Sequence, residues 1–338
     1  MSANSATPFT GPHLLVPFAA CSAEAWLPTM KALPAQSTRH LNQLLKGMKS
    51  VHTDTADAHT LSTPHERALA LALGLATADT PDGLIPWAAQ DAAQHLQGES
   101  GKAWAWVTPC HWAMGREHAT LTDPAALGLD DAESRALLAA MQPYFDSDGI
   151  TLRYVPALGA GQWLAEGELF RALPTASLDR VMGRNVDPWL PGGKTEAKDS
   201  TARKIKLLQN EMQMLLYTHA LNDERAERRQ LPVNSFWLSG TGALPAGYAP
   251  GGQRPTVPRS LAQAVFADDW EAYAQAWAAL DAGDIAQLLA RQRAGEAVRL
   301  TLCGERGWQT FETHPADLMA RISSLLMPQP LWYERNQL

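Results

Sequence analysis

The sequence predicts a layered α/β protein with a smaller α+β segment inserted into it. Three observations carry that prediction. Short apolar strand candidates alternate with helical segments near both ends of the chain, and the middle mixes paired strand candidates with helix. The length of 338 residues also exceeds the roughly 100–200 residues of one ordinary domain. The expected division is a flexible tail at 1–12, a first core part at 13–100, an inserted α+β domain at 101–204 and a second core part at 205–330.

Composition narrows the class. A hydrophobic fraction of 46% supplies a sizeable core. Twelve tryptophans stand against six tyrosines and seven phenylalanines. An indole buries much area and needs one hydrogen-bond partner, so several should sit in the core or in walls. The formal net charge of −7 disfavours nucleic acid as a partner, because such proteins carry a basic footprint. The densest basic patch, Arg225, Arg228 and Arg229, reads as a solvated helix end. Cys21, Cys110 and Cys303 are too scattered for a disulfide framework or a zinc spacing and suit a reducing compartment. No apolar run reaches the roughly 18 residues of a membrane span. The first basic residue, Lys31, follows the apolar stretch Leu14–Ala20 instead of preceding it, as a secretory signal requires. The expectation is a cytoplasmic protein with no membrane partner.

The elements follow in order. His13 to Ala19 reads as a short buried strand entering a loop at Pro17. Leu41 to Met48 is helical, and the polar run His52 to Thr63 reads as a surface loop. Thr63-Pro64-His65-Glu66 opens a helix with a capping box and a proline at the first helical position, and Gly74 ends it. Pro86 to Gln97 is a second helix, Trp104 to Val107 a strand, and Asp130 to Met141 an Ala/Leu-rich helix. Ile150–Val155 and Gly161–Leu164 resemble paired strands. After a linker-like stretch at Gly192–Arg203 comes Ile205 to Arg228, the longest uninterrupted helix candidate. Val233–Leu238 is a strand and Ala243–Pro258 a Pro/Gly-rich loop. Asp268–Ala294 is mostly helical with a break at Gly283. Ala297–Leu302 and Trp308–Phe311 are strands, and Pro315–Met327 is a closing helix.

Several residue groups offer chemistry. On one helix spanning 205–228, Glu211, Thr218, Asn222 and Arg225 fall within roughly 60° of one another at 100° per residue. That polar stripe is either a solvated face or, with His219, the wall of a site. The strand Val233–Leu238 runs through Asn234 toward Gly240-Thr241-Gly242. In open α/β sheets ligands bind beyond the carboxyl ends of strands, where glycines let backbone amides approach an anion, although a plain tight turn explains the same residues. Arg180 and Arg184 flank Gly183 and suit a phosphate or carboxylate, or are ordinary surface arginines. Cys110 and His111 are adjacent in sequence, but on a strand their side chains point to opposite faces.

The segment NEMQMLLYTHALNDERAERRQLPVNSFWLSGTG, Asn210 to Gly242, resembles the signature of RpfE-type regulatory proteins. It is more distantly similar to archaeal-type cofactor-independent phosphoglycerate mutases. Those mutases have a helix with a His-Pro-x-Asn turn, an Arg, then an Asn-bearing strand ending in Gly-x-Gly. His219, Asn222, Arg225, Asn234 and Gly240 to Gly242 match here, while Ala220 departs from the usual Pro. The resemblance implies an alkaline-phosphatase-like α/β core with an inserted smaller α+β domain. It also implies a two-metal phosphotransfer site, which needs several carboxylate and imidazole ligands. The first strand here leads into Pro17-Phe18 without an acid, His65-Glu66 stands where a Ser-Asp pair is implied, and Cys303-Gly304-Glu305 replaces an Asp-His pair.

Those departures favour a degenerate, non-catalytic mutase-like protein with a binding or regulatory role and no cofactor. The alternative is an active metal-dependent cofactor-independent phosphoglycerate mutase or phosphohydrolase using Mn, Mg or Zn. A protein-interaction module is a third class, suggested by the tryptophans and the loop at 243–258. The candidate ligand-binding residues are Glu211, His219, Asn222, Arg225, Asn234, Gly240, Gly242 and Arg184, for a small phosphorylated or carboxylate ligand or for a protein partner. Convergence of acids and imidazoles among His65, Glu66, Cys303 and Glu305 would favour the enzyme.

Overall fold

The computed structural model describes residues 9–96, 101–192, 200–249 and 253–314. The expected closing helix at Pro315–Met327 and most of the expected tail lie outside the described residues. The fold is mixed α/β and divides into two compact units, one made of 1–59, 63–74 and 250–338, the other of 60–62 and 75–249. No helix among the described residues is long and apolar enough to cross a membrane.

The first unit opens with strand β1 (His13–Val16), helix α1 (Trp26–Ala32), helix α2 (Arg39–Lys46), strand β2 (Met48–Thr55) and helix α3 (Pro64–Ala72). The chain then builds the second unit. Helix α4 (Trp87–His95) is followed by strand β3 (Ala103–Cys110) and the hairpin β4 (Trp112–Met114) and β5 (Ala119–Leu121). Helix α5 (Asp131–Ser147), strands β6 (Thr151–Arg153) and β7 (Trp163–Glu166) and the short helix α6 (Leu178–Val181) come next. Helices α7 (Ser200–Tyr217) and α8 (Ala220–Glu227) lead into strand β8 (Ser235–Ala243). The chain returns to the first unit through α9 (Ser260–Phe266), α10 (Trp270–Leu280), α11 (Ala286–Arg293), β9 (Arg299–Cys303) and β10 (Gly307–Thr313).

The sheet of the first unit has the order β1-β9-β10-β2. Only β1 and β9 are parallel, with Leu14 opposite Leu300 and Val16 opposite Leu302, while β10 runs antiparallel to both its neighbours. Leu14, Val16, Leu300 and Leu302 join Tyr273, Trp277 and Leu280 in the core. The capping box at Thr63 and Glu66 forms as its residues dictate. The expected surface loop at 52–63 is instead partly strand, because β2 occupies the sheet edge and its polar residues face solvent. An edge strand with an exposed face carries no apolar run to announce it. The expected break at Gly283 is a single π turn, Asp281–Ile285, that joins α10 to α11 without interrupting the helical path. Asp281 is buried in this turn and accepts the N–H groups of His40 (3.0 Å) and Leu41 (2.8 Å), satisfying orphan donors at the start of α2.

The second unit centres on an antiparallel sheet of order β6-β7-β3-β8. Alternate residues of β3 face opposite layers. Ala103, Ala105 and Val107 pack with Phe145, Trp163, Leu208 and Met212 under α5 and α7, whereas Trp104 packs with Ala88, Ala89 and Ala92 of α4. Both faces are covered, which explains the near-continuous apolar run of β3. Pro109 is tolerated in this strand because pairing with β7 ends at Val107, so the missing N–H lies where β3 has only β8 beside it.

These pairings redraw the expected division. Strand β8 pairs with β3 along its length and α7 packs beside it, with Gln209 Nε2 donating to the Phe236 carbonyl at 3.0 Å. The Leu207–Gly242 segment therefore belongs with residues 101–192, and the second unit runs from 75 to 249 in place of an insertion at 101–204. The expected single helix at 205–228 is two helices, because His219 is extended (φ −78°, ψ 128°) and its Nδ1 accepts the Leu221 N–H as an N-cap.

One half-buried histidine links the first sheet to pH. His13 Nε2 lies 2.9 Å from Thr301 Oγ1, which lies 2.9 Å from Thr310 Oγ1. Burial, and then the Arg299 guanidinium, lower the His13 pKa from 6.5 to about 3. Between those two values the unfolded chain binds a proton that the folded chain refuses. Stability is therefore intact above pH 6.5 and falls, by up to a few kcal/mol, as pH drops toward 3. His13→Gln is expected to flatten the fall in urea-unfolding free energy across that window. Identical pH slopes for variant and wild type would contradict it.

Candidate functional site

The resemblance places chemistry at the carboxyl ends of the parallel pair β1 and β9, and the structure does bring those segments together. Past Val16 the chain turns at Phe18, a non-glycine residue at φ 52°, and the Ala19 N–H donates to the Cys303 carbonyl at 2.8 Å. The buried Tyr273 hydroxyl holds this turn by donating to the Phe18 carbonyl at 2.8 Å. Positive φ in a bulky residue persists only where the surroundings fix it.

The polar groups at these strand ends are engaged with one another. The buried Glu305 carboxylate accepts from the backbone N–H of Ser22 at 2.8 Å and from its hydroxyl. His65, also buried, has Nε2 at 3.3 Å from Thr63 Oγ1 and 3.5 Å from Arg259 Nη1, with the Phe18 ring 5.7 Å away. Glu66 accepts the Thr63 N–H at 3.3 Å and serves as the helix cap. Arg67 donates to Asp54 at 2.6 Å and lies over the Trp308 ring at 5.0 Å. Cys303 packs among Leu15, Ala68 and Trp308, and burial raises its thiol pKa well above the usual range. Among the described residues no group of three or more His, Cys, Asp or Glu is placed to hold a metal ion. The donor set at these strand ends does not fit a two-metal site.

The second unit carries a groove of about 720 Å³. It lies between the end of α7, the start of α8, the β4–β5 hairpin and residues 232–234. Trp112, Met114, Leu216 and Tyr217 supply its apolar lining, and Asn222 and Asn234 also line it. The two asparagines are occupied by backbone. Asn222 Nδ2 donates to the carbonyls of Leu216 and Val233, both at 2.8 Å, and its Oδ1 accepts the Val233 N–H at 2.9 Å. Asn234 Oδ1 accepts the Trp112 N–H at 2.7 Å while its Nδ2 donates to the Trp112 carbonyl at 3.0 Å. Each side chain thus acts as a strand partner, closing a gap that backbone alone leaves open.

The other candidates are scattered. Glu211 is exposed on α7 and His219 caps α8, and neither lines the groove. Arg225 is fully buried, contrary to its reading as a solvated helix end. Its Nη1 donates to Glu133 at 2.7 Å, its Nε to the Leu231 carbonyl at 2.8 Å and its Nη2 to the Leu127 carbonyl. The helical stripe of Glu211, Thr218, Asn222 and Arg225 therefore does not exist, because the His219 cap rotates the second half of it.

Gly240 and Gly242 form no loop. They lie inside β8 beside a bulge, where Trp104 faces Gly242 and Trp106 faces Ser239. Gly240 sits at φ 63°, and a Cβ there would meet Trp106 Cε3 at 2.8 Å and Trp87 Cβ at 3.1 Å. Its missing side chain makes room for two indoles, not for an anion. Arg184 is half-buried after α6, outside the groove lining, and its carbonyl accepts the Leu121 N–H at 3.3 Å. Arg180 is buried, contrary to the surface reading, with Nη2 donating to the Ser62 carbonyl at 3.3 Å. Cys110 ends β3 and His111 lies just beyond it: the buried thiol has its pKa raised by desolvation, while His111 Nδ1 lies 2.9 Å from the Pro232 carbonyl. Met114 and Tyr217, the exposed large apolar residues of the groove, have only one signal in the sequence, the alternation of Trp112-Ala113-Met114 running into Gly115, a hairpin arm.

No family model matches the sequence, and no curated protein matches it. Among solved structures the chain is similar to a cofactor-independent phosphoglycerate mutase from Thermoplasma acidophilum, with 12% identity, 91% of each chain covered and a TM-score of 0.36. It is also similar to the PH0037 protein from Pyrococcus horikoshii, with 10% identity, 90% of this chain and 87% of that chain covered, and a TM-score of 0.43. Both likenesses are distant.

Two substitutions test the structural roles assigned to the candidates. Glu133→Gln removes the charge that faces a fully buried guanidinium and is expected to cost about 3 kcal/mol in urea unfolding. A cost under about 1 kcal/mol would place Arg225 in a wetter setting than described. Gly240→Ala adds a clash to a positive φ and is expected to cost roughly 2–4 kcal/mol. Unchanged stability would mean that the two indoles move aside freely.

Proposed function

We propose that this chain is a non-catalytic, phosphoglycerate-mutase-like protein whose role is to bind a ligand or partner in a regulatory setting. One observation carries the reading. At the strand ends where phosphotransfer in the resembling mutases needs converging metal ligands, the polar side chains here serve one another. Glu305 receives Ser22, Glu66 caps α3, Arg67 meets Asp54, and His65 sits between Thr63 and Arg259. A two-metal site needs carboxylates and imidazoles free to point at two ions roughly 4 Å apart. Rebuilding one here would require breaking a helix cap and uncovering a buried carboxylate. The candidate ligands remain a small phosphorylated or carboxylate compound or a protein.

The test combines elemental analysis with turnover. Protein purified without chelator is expected to hold far less than one equivalent of Mn, Mg or Zn. It is also expected to turn over neither phosphoglycerate nor p-nitrophenyl phosphate when those ions are supplied. Two equivalents of metal together with turnover would overturn the proposal in favour of an active metal-dependent mutase or phosphohydrolase.

A further inference from the structure

We propose that the groove of the second unit is a docking surface for a basic amphipathic peptide segment of a partner protein. The inference does not depend on the non-catalytic reading, because the groove lies wholly within the second unit and shares no residue with the strand-end cluster of the first.

Its size is the first argument. About 720 Å³ falls within the roughly 300–1,000 Å³ typical of ligand clefts. Exposure is the second. Tyr217 and Met114 are 87% and 79% exposed on facing walls, and Met214, one turn before Tyr217 on α7, is 75% exposed. Large apolar side chains standing together in water at the lip of a groove mark an interaction surface, and methionine adapts to varied apolar partners. The apolar strip continues past the groove along α7, which a small free amine would leave uncovered and a peptide would cover.

Charge decides the kind of peptide. The groove is lined by the carboxylates of Glu117, Asp187 and Asp223 against the single guanidinium of Arg116, with His118 beside them. None of these three carboxylates is held in an ion pair, or accepts a hydrogen bond, among the described residues. The asparagines are closed to a ligand by their backbone partners. The groove therefore presents acceptors and an open tyrosine face, which suits lysine or arginine side chains on an apolar backbone of neighbours.

The experiment is fluorescence anisotropy on the full chain with four probes. Three of the four are labelled: a short Leu/Lys amphipathic peptide, its Leu/Glu counterpart, and a Ser/Lys peptide of equal charge without apolar residues; spermidine is the fourth, added unlabelled as a competitor. The Leu/Lys peptide is expected to bind at least about tenfold more tightly than either other peptide, to weaken with salt, and to resist spermidine. Tyr217→Ser, and separately the triple variant Glu117→Gln, Asp187→Asn, Asp223→Asn, should each weaken it about tenfold. Glu271→Gln, an exposed change in the first unit, should leave it unchanged. These positions are exposed, so far-UV spectra and melting curves should match wild type. Equal binding of the three peptides, full displacement by spermidine, or groove variants that bind like wild type would each overturn the proposal. So would a dimer in solution that Tyr217→Ser dissociates, since a second copy would then own the surface.

Discussion

The Arg225 guanidinium, enclosed at the junction of α8, α5 and two loops, is the interaction on which the second unit turns. It reaches Glu133 at the start of α5 and the carbonyls of Leu127 and Leu231, so it ties the chain just after α8 to the 127–133 stretch far earlier in sequence. A buried charge is tolerated only when its partner and its remaining donors are supplied together. Glu133 also completes the cap of α5 and receives Arg228, which makes one carboxylate answer for two cations. With Arg225 fixed, α8 must leave the line of α7. The His219 cap and the Asn222 bridge follow, and the end of α7 then stands open against the β4–β5 hairpin. The groove lies beside the helix that this cation anchors.

The first unit meets a different constraint. A parallel strand pair at one side of an otherwise antiparallel sheet leaves the carboxyl ends of β1 and β9 facing the same way, the usual place for chemistry in an α/β layer. Here those ends carry a turn at Phe18 held by Tyr273, a carboxylate clamped by Ser22 and a histidine between a hydroxyl and an arginine. Polar groups buried this way gain from being mutually satisfied and lose heavily when one member is withdrawn. Such an arrangement favours a fixed structure over one that releases ligands to an incoming ion.

The two units therefore divide their polar residues differently. In the first, acids and bases meet each other inside the unit. In the second, three carboxylates lining the groove and an apolar strip on α7 are left facing water. Unmatched surface charge costs little in stability, so its arrangement is free to answer to association.

The sequence by itself determined the local structure. Capping at Thr63 and Glu66, the helix that opens at Asp130, the apolar strands, the paired strands after Asp148 and the absence of an acid after the first strand were all legible from short-range patterns. What it could not decide was anything set by partners distant in the chain. A polar strand at a sheet edge looks like a loop, as β2 does, because its only specification is the neighbour it pairs with. Gly240-Thr241-Gly242 looks like an anion loop, but the indoles of Trp87 and Trp106 make it a bulge. Arg225 and Arg228 look alike in a basic run and share Glu133, more than ninety residues earlier, yet one is fully buried, with the Leu127 and Leu231 carbonyls as further partners, and the other is half exposed. Burial and pairing depend on which surfaces meet. That is a property of tertiary packing, and it placed both the engaged strand-end cluster and the open groove.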